Sequence, residues 1–167
     1  LLKKIASQAE QMGYTPFMSQ EFEWFNFSET PETVHEKGFT NLKPLSQGMF
    51  GYSILRSSYR NAFMSDLFEL LNKFDIPIEA LHTETGPGVY EAAIKYAPAL
   101  QAADQAILFK TAVKEIAYKH GILATFMAKI SEKLPGCSGA QAAIQRWLAE
   151  PLTHDAAVRI ALLHNPG

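Results

Sequence analysis

The stretch "IPIEALHTETGPGVYEAAI" (76–94) sets the architecture of this chain. Two short β-forming runs, 76–84 and 89–94, flank a Gly-Pro-Gly sequence that is typical of a tight turn. We therefore predict a β-hairpin. It carries Glu84 before the turn and Glu91 after it. Two carboxylates on the arms of one hairpin are either an exposed surface or part of a divalent-metal site.

The segments around this hairpin predict a mixed fold. Residues 28–55, which are rich in proline and glycine, are interpreted as an irregular connection with at most a turn or two of helix. Hydrophobic spacing elsewhere predicts strands over 15–27 and 122–129, and helices over 1–12, 58–74, 98–120, about 140–149 and 153–164. The apolar stripe of the longest helix is predicted to be Leu100, Ala103, Ile107, Leu108, Val113, Ile116 and Ala117. The fold class is α+β, with an antiparallel β-sheet flanked by helices.

A second pair of carboxylates lies in the aromatic strand "EFEWF" (21–25). Because side chains alternate along a strand, Glu21, Glu23 and Phe25 share one face, and Phe22 and Trp24 share the other. If this face meets Glu84 and Glu91, four carboxylates would repel one another at neutral pH. Mg²⁺ or Mn²⁺ would relieve that repulsion, and two such ions suit an enzyme that transfers a phosphoryl group.

Taken singly, these residues allow simpler interpretations. Glutamates two apart on a strand usually form its solvated face, hairpins often carry exposed glutamates, and Gly-Pro-Gly is commonly only a turn. His82 is more typical of a packed or surface histidine than of a ligand. Cys137 has no nearby histidine or aspartate and is interpreted as an ordinary small residue.

The composition narrows the class of protein. The chain has 167 residues, 47% hydrophobic and 19% charged, which is typical of a soluble globular protein. Its net charge of −2 gives no reason to expect nucleic acid or an anionic membrane as a partner. No apolar run reaches the roughly 20 residues that span a bilayer. The single cysteine and the lack of a signal-peptide pattern favour the cytoplasm.

Four motifs occur in an order that resembles one known family. They are "EFEWF", "IEALHTETGPGVYE", "ADQAILFKTAVKEIAYKHGILATFMAK" and "PGCSG". Together they resemble the catalytic domain of the glutamine synthetase superfamily. The "HTETGPGVYE" form is similar to the branch with lengsin and with fungal and plant glutamine-synthetase-like proteins, and "ATFMAK" resembles γ-glutamyl-amine ligases. The resemblance covers residues 1–139, a partial catalytic domain.

The resemblance implies roles for five glutamates. Glu23, Glu84 and Glu91 would bind a first Mg²⁺ or Mn²⁺, and Glu21 a second one that bridges to the nucleotide phosphates. Glu79 would lie near the nucleotide. In such enzymes the co-substrate ATP phosphorylates the γ-carboxylate of glutamate, and ammonia or an amine then displaces the phosphate. The full-length protein is expected to be a homo-oligomer. No residue is assigned as catalytic.

The resemblance stops after "PGCSG". The family continues with His-x-His, whereas this chain has Ala140, Gln141 and Ala142. Residues 140–167 are therefore expected to be an unrelated helical tail, and "LAEPLTHDAAVRIALLHNPG" (148–167) either resembles outer-membrane efflux proteins of the TolC type or is an amphipathic helix. We expect an incomplete, inactive piece of an ATP-dependent glutamate–ammonia or glutamate–amine ligase. The alternative is a non-catalytic pseudoenzyme or structural protein on the same scaffold.

Overall fold

The computed structural model describes residues 1–48 and 51–127. The elements are α1 (Leu2–Gln11), β1 (Phe17–Met18), β2 (Glu21–Phe27), α2 (Pro31–Glu36), α3 (Ile54–Tyr59), α4 (Asn61–Lys73), β3 (Ile78–Thr83), β4 (Val89–Ile94), β5 (Ala97–Pro98), α5 (Ala99–Lys119) and β6 (Leu123–Thr125). The predicted α+β class is confirmed. The predictions for the end of the last strand, for the segment around Cys137 and for helices over 140–149 and 153–164 lie outside the described residues. Within the described part, no helix is both long and apolar enough to cross a bilayer.

The central element is a four-stranded antiparallel sheet with the strand order β3-β4-β2-β6. The predicted hairpin forms its β3 and β4 strands. The register places Glu23 opposite Glu91 and Trp24 opposite Tyr90. Because adjacent residues of a strand point to opposite faces, this register puts carboxylates on one face and aromatic rings on the other.

The hairpin turn packs directly onto β2. Gly88 has φ +72°, and a Cβ at this position would overlap the carbonyl oxygen of Asn26. In return, the backbone N–H of Asn26 donates to the Gly88 carbonyl at 2.8 Å, and the Asn26 side-chain amide donates to the same oxygen at 3.1 Å. Glycine is required here both for the positive φ and for the close approach. The turn thereby fixes how β4 is aligned beside β2.

Helices α4 and α5 cover the aromatic face of the sheet. Phe63, Leu67 and Leu71 of α4 are buried, while Leu70 is only partly buried. The Phe109 ring of α5 stacks on Phe22 at 5.2 Å between ring centroids. The buried members of this core are Trp24, Leu45, Phe63, Met64, Leu67, Leu71, Ile76, Tyr90, Ala92, Ile94, Phe109, Val113, Ile116, Ala117, Ile122 and Ala124.

The predicted stripe of α5 is wrong in its first half. Ile107 and Leu108 are 69% and 51% exposed. The buried positions there are Ala102, Gln105 and Phe109. The Gln105 side chain donates to the Asp75 carbonyl at 2.7 Å, which lets a polar residue face the core. The polarity of Gln105 hid its buried position from a search for apolar residues, whereas Ala102 and Phe109 are apolar and were left out of the predicted stripe.

Two predicted elements are each divided in the structure. The strand over 15–27 is interrupted between β1 and β2, and β1 pairs with the unpredicted β5. The helix over 58–74 begins earlier, as α3, and breaks at Arg60, whose ψ of +43° is not helical. The irregular connection before it contains α2, whose capping box joins Thr30 and Thr33. Among the described residues of 28–55, α2 and the first residues of α3 fit the predicted turn or two of helix.

Candidate metal centre

Three strands place ionisable side chains in one row across the sheet. His82 of β3 is opposite Glu91 of β4, and Glu91 is in turn opposite Glu23 of β2. The next residues along β4 and β2, Tyr90 and Trp24, are buried in the core. Alternation along the strands therefore turns His82, Glu91 and Glu23 away from the core. We call this side of the sheet the open face.

His82, Glu84 and Glu91 form a compact group on the open face. Each offers one ligand atom, and these three atoms lie within 4.8 Å of one another. His82 Nδ1 is 4.0 Å from Glu84 Oε2, and His82 Nε2 is 3.8 Å from Glu91 Oε2. Ligands of one divalent cation lie roughly 3 to 4.5 Å apart when each bond is about 2.1 to 2.3 Å. The limit of 4.8 Å within which the three atoms lie is close to the upper end of that range.

Glu84 has one satisfied oxygen and one unsatisfied oxygen. Its Oε1 accepts a hydrogen bond from the Thr85 N–H at 2.7 Å. Its Oε2 is buried and has no hydrogen-bond partner among residues 1–48 and 51–127. Burial raises the pKa of Glu84, but hydrogen bonding from Thr85 and Tyr52 and the nearby His82 outweigh it and lower the pKa below 4.5. A buried, ionised oxygen without a partner is unfavourable alone and suits a bound cation.

The electrostatics of Glu91 differ from those of Glu84. Its pKa is raised above 4.5, first by burial and then by the charges of Glu23, Glu84 and Glu21, against an opposing effect of His82. Carboxylates crowded in this way repel one another, and a divalent cation would remove the repulsion. The carboxylates on the open face thus fit a hard divalent ion both in donor type and in charge.

The other predicted site residues occupy different positions. Glu21 and Glu23 lie on the exposed part of β2, on the same face as Glu91, but neither belongs to the group of three within 4.8 Å. Their charges nevertheless contribute to the raised pKa of Glu91. Glu79 is exposed and lies at a β-bulge between Ile78 and Ala80 of β3, outside this group. The described structure therefore brings together two of the five glutamates and aligns a third beside them.

Two residues of the site were not assigned from the sequence. His82 was interpreted as an ordinary histidine, although the strand predicted over 76–84 places it two residues before Glu84 and so on the same face. Tyr52 comes from the segment before α3, and its ring lies 4.6 Å from the His82 ring. Its backbone N–H donates to the Thr83 carbonyl at 2.6 Å. Only the tertiary structure shows this contact, because 30 residues separate the two segments.

Comparison with known proteins gives a consistent set of matches. The family model described as "Glutamine synthetase, catalytic domain" matches residues 1–140. Type-1 glutamine synthetase 2 of Dictyostelium discoideum is 54% identical over 138 residues, and the match covers 83% of this chain and 26% of that protein. Glutamate–isopropylamine ligase of a Pseudomonas species is 39% identical over 139 residues, covering 83% of this chain and 30% of that protein.

A solved structure supports the same fold. The ligand-free structure of GmaS superposes with a TM-score of 0.66 at 24% identity, covering 80% of this chain and 30% of that one. At this level of identity the likeness concerns the fold alone. The chain thus spans between 26% and 30% of the length of these three proteins.

Proposed function

The chain belongs to the glutamine synthetase catalytic-domain family, and from this premise we propose that it carries the metal-binding part of an ATP-dependent ligase that joins glutamate to ammonia or an amine. The relatives bear the names glutamine synthetase and glutamate–isopropylamine ligase. The observation that supports the proposal most is the buried, unpartnered Oε2 of Glu84 beside His82 and Glu91. A buried carboxylate oxygen without a hydrogen-bond partner is unfavourable, and a bound cation would satisfy it.

Glu23, Glu84 and Glu91 are the proposed ligands of a first Mg²⁺ or Mn²⁺. His82 is positioned to join them, since its Nδ1 lies 3.2 Å from the Thr83 carbonyl, which leaves Nε2 directed towards Glu91. Glu21, farther along the open face of β2, is the proposed ligand of a second ion next to the ATP phosphates. Glu79 is proposed to lie near the nucleotide.

The cations would supply charge neutralisation for the phosphate oxygens of ATP and for the approaching γ-carboxylate of glutamate. The chain's own residues provide the geometry. Cross-strand pairing fixes Glu23 beside Glu91, so the carboxylates are held in place before the substrates arrive. Thr85 orients Glu84 through its backbone N–H. In the proposed reaction ATP phosphorylates glutamate, and ammonia or an amine then displaces the phosphate.

The wider proposals concern the complete protein. Residues 1–139 are proposed to be part of the catalytic domain and residues 140–167 a separate tail. The complete protein is proposed to be a cytoplasmic homo-oligomer that binds neither nucleic acid nor membrane. Ala140 and Ala142, found where the family resemblance leads us to expect His-x-His, favour a second candidate, a non-catalytic protein on the same scaffold.

Titration calorimetry with Mn²⁺ tests the metal site. We expect the 167-residue chain to bind Mn²⁺, and the Glu84→Gln and Glu91→Gln variants to lose about 100-fold or more in affinity, because each loses a charged ligand oxygen. Glu69→Gln is the matched control, since Glu69 is exposed on α4, in the helical layer. Equal Mn²⁺ affinity in all four proteins would show that Glu84 and Glu91 are not metal ligands and contribute only charge at the surface.

A chimera separates the ligase from the non-catalytic scaffold. Residues 1–139 would replace the matching segment of the Dictyostelium relative, and γ-glutamyl transfer would be measured. We expect activity in the chimera, its loss in the same chimera with Glu91→Gln, and none in the isolated 167-residue chain. An inactive, folded chimera that still binds Mn²⁺ would favour the non-catalytic scaffold. Transfer by the isolated chain would contradict its assignment as an incomplete piece.

A further inference from the structure

A cavity of about 430 Å³ lies between the segment 43–47 and α3. Tyr90 of β4 contributes to its wall. Because adjacent residues of a strand point to opposite faces, Tyr90 lies on the core side of the sheet, and its neighbour Glu91 lies on the open face. Cavities of roughly 300 to 1,000 Å³ are the size that proteins use for small ligands. The chemistry of the wall indicates which class of ligand this cavity suits.

The charged side chains that line the cavity are all cationic. They are Lys43, Arg56 and Arg60, and no aspartate or glutamate of the described residues lines it. Glu29 does not neutralise them, because its carboxylate binds the Lys37 ammonium and accepts only the backbone N–H of Lys43. Like charges that share one cavity repel one another, and a bound anion would remove that repulsion.

Tyr90 adds a hydroxyl to this cationic wall. The residue is only 1% exposed, and its hydroxyl has no hydrogen-bond partner among residues 1–48 and 51–127. Burial raises the pKa of the phenol to about 12, against an opposing effect of the Arg60 charge, so the hydroxyl remains protonated at neutral pH. A protonated hydroxyl that has no protein partner is available to donate a hydrogen bond to an anion.

Two side-chain hydrogen bonds tie the segment 43–47 to its neighbours. The Gly88 N–H of the hairpin turn donates to the Ser46 hydroxyl at 3.3 Å. The Arg56 Nε–H of α3 donates to the Gln47 carbonyl at 3.2 Å. The wall is therefore held in place without a ligand, and a wall that is already ordered loses less conformational entropy when a ligand binds.

The cavity also has an apolar part. Leu55 and Tyr59 of α3 line it, although they are 82% and 79% exposed. The Arg60 guanidinium lies over the Tyr59 ring, 5.7 Å from the ring centroid. A cation and an apolar surface are thus adjacent, and a ligand with an anionic group and an apolar body would contact both.

We propose that this cavity binds a small organic anion, whose carboxylate or phosphate group contacts Arg60 and the Tyr90 hydroxyl and whose apolar body covers Leu55 and Tyr59. A guanidinium suits either group, because its planar fork forms two parallel hydrogen bonds with carboxylate or phosphate oxygens. This site goes beyond the proposed metal centre and does not depend on it, since none of the proposed metal ligands lines the cavity.

Titration calorimetry of the 167-residue chain without metal tests the proposal. Phenyl phosphate and benzoate are the organic anions, inorganic phosphate lacks the apolar body, and benzyl alcohol lacks the charge. We expect at least one organic anion to bind about 10-fold more tightly than inorganic phosphate, because its ring covers apolar surface. We expect no binding of benzyl alcohol. The tighter of the two organic anions identifies whether the cavity prefers a phosphate or a carboxylate group.

Two substitutions locate the binding site. Arg60→Gln removes a charged donor and should weaken binding of the tighter organic anion by about 10-fold or more. Tyr90→Phe keeps the buried ring and removes only the hydroxyl, so it should weaken binding about 2- to 10-fold. Lys3→Gln is the control, because it removes a positive charge from an exposed position of α1, and it should bind as the unsubstituted chain does. Urea unfolding shows whether each variant is folded.

Three results would contradict the proposal. Absence of binding of both organic anions to the unsubstituted chain would overturn it, and so would an unchanged affinity in folded Arg60→Gln and Tyr90→Phe. Equal affinity for inorganic phosphate and for the organic anions would overturn the assignment of an organic ligand. If Arg60→Gln does not fold, Tyr90→Phe decides alone. Because no Mn²⁺ is present, these results are independent of the proposed metal site, which the Mn²⁺ titration tests separately.

Discussion

The two faces of the four-stranded sheet have opposite properties although they are built from adjacent residues. Trp24 and Tyr90 are packed into the core beneath α4 and α5. Their sequence neighbours Glu23 and Glu91 lie opposite each other on the open face. One face contributes apolar burial and the other gathers like charges, so folding and the proposed metal binding should respond to different substitutions.

The carboxylates of Glu29 and Glu84 also differ, in whether the protein supplies hydrogen-bond partners for their oxygens. Glu29, two residues after the end of β2, accepts hydrogen bonds from the Lys37 ammonium at 2.5 Å, the Thr33 hydroxyl at 2.7 Å and the Lys43 N–H at 2.8 Å. Glu84 has a buried oxygen with no such partner within the described ranges. Glu29 is thus satisfied by the protein itself, whereas one oxygen of Glu84 remains available to the proposed cation.

The largest effect should come from the core face. Phe109→Ala removes a fully buried ring that contacts Phe22 and Trp24, and should lower the free energy of unfolding by about 3 to 5 kcal/mol. Leu108→Ala, one residue earlier but half-exposed, should change it by no more than about 0.5 kcal/mol. Urea unfolding measures both. Similar losses in the two variants would contradict the face of α5 assigned here to the core.

A smaller, pH-dependent effect should come from Glu29. Hydrogen bonds from Lys37, Lys43 and Thr33 lower the pKa of Glu29 from 4.5 to about 2. A lowered carboxyl pKa stabilises the folded state above pH 4.5, and this contribution is lost as the pH falls from about 4.5 towards 2. The free energy of unfolding of the unsubstituted chain should therefore exceed that of the Glu29→Gln variant by about 2 kcal/mol at pH 7. This difference should become smaller as the pH falls below 4.5. A difference that is the same at pH 7 and pH 3 would contradict this.

The smallest effect, of opposite sign, should come from the open face without metal. Burial and like charges raise the pKa of Glu91, so its ionised form opposes folding as the pH rises above 4.5. Glu91→Gln should stabilise the metal-free chain at pH 7 by up to about 1 kcal/mol, because it removes a like-charge pair with Glu23. Glu69→Gln is the control for a change of charge alone. Destabilisation by Glu91→Gln would mean that Glu91 serves the fold.

Much of the fold could be predicted because local patterns determine it. The period-two pattern of 21–25 and the two arms around Gly-Pro-Gly correctly gave β2, β3 and β4. The core face of α5 was partly missed, because Gln105 is buried through a hydrogen bond to the Asp75 carbonyl, 30 residues away. A hydrogen-bond partner that is distant in the sequence cannot be predicted from a local pattern of hydrophobic residues.

The sequence predicted those residues of the candidate site whose positions follow from alternation along a strand. It did not predict residues whose positions depend on how the strands pair. Alternation along each strand gave the face on which Glu23 and Glu91 lie within their own strands. In the structure, the pairing of β2 with β4 places the two residues opposite each other. His82 joins the candidate site because it lies opposite Glu91 in the sheet. The residues next to His82 in the sequence do not indicate this pairing. Tyr52 reaches the site from an irregular segment, where no periodicity exists to predict a direction.

The most direct test of the central claim is the stability that Mn²⁺ adds to the folded chain. At a free Mn²⁺ concentration of about 100 times its dissociation constant, binding to the folded state alone should raise the free energy of unfolding by about 2.7 kcal/mol. We expect this gain in the unsubstituted chain and in Leu108→Ala, but not in Glu84→Gln or Glu91→Gln at the same concentration. No gain in the unsubstituted chain, or an equal gain in the glutamine variants, would contradict a divalent-metal site on the open face.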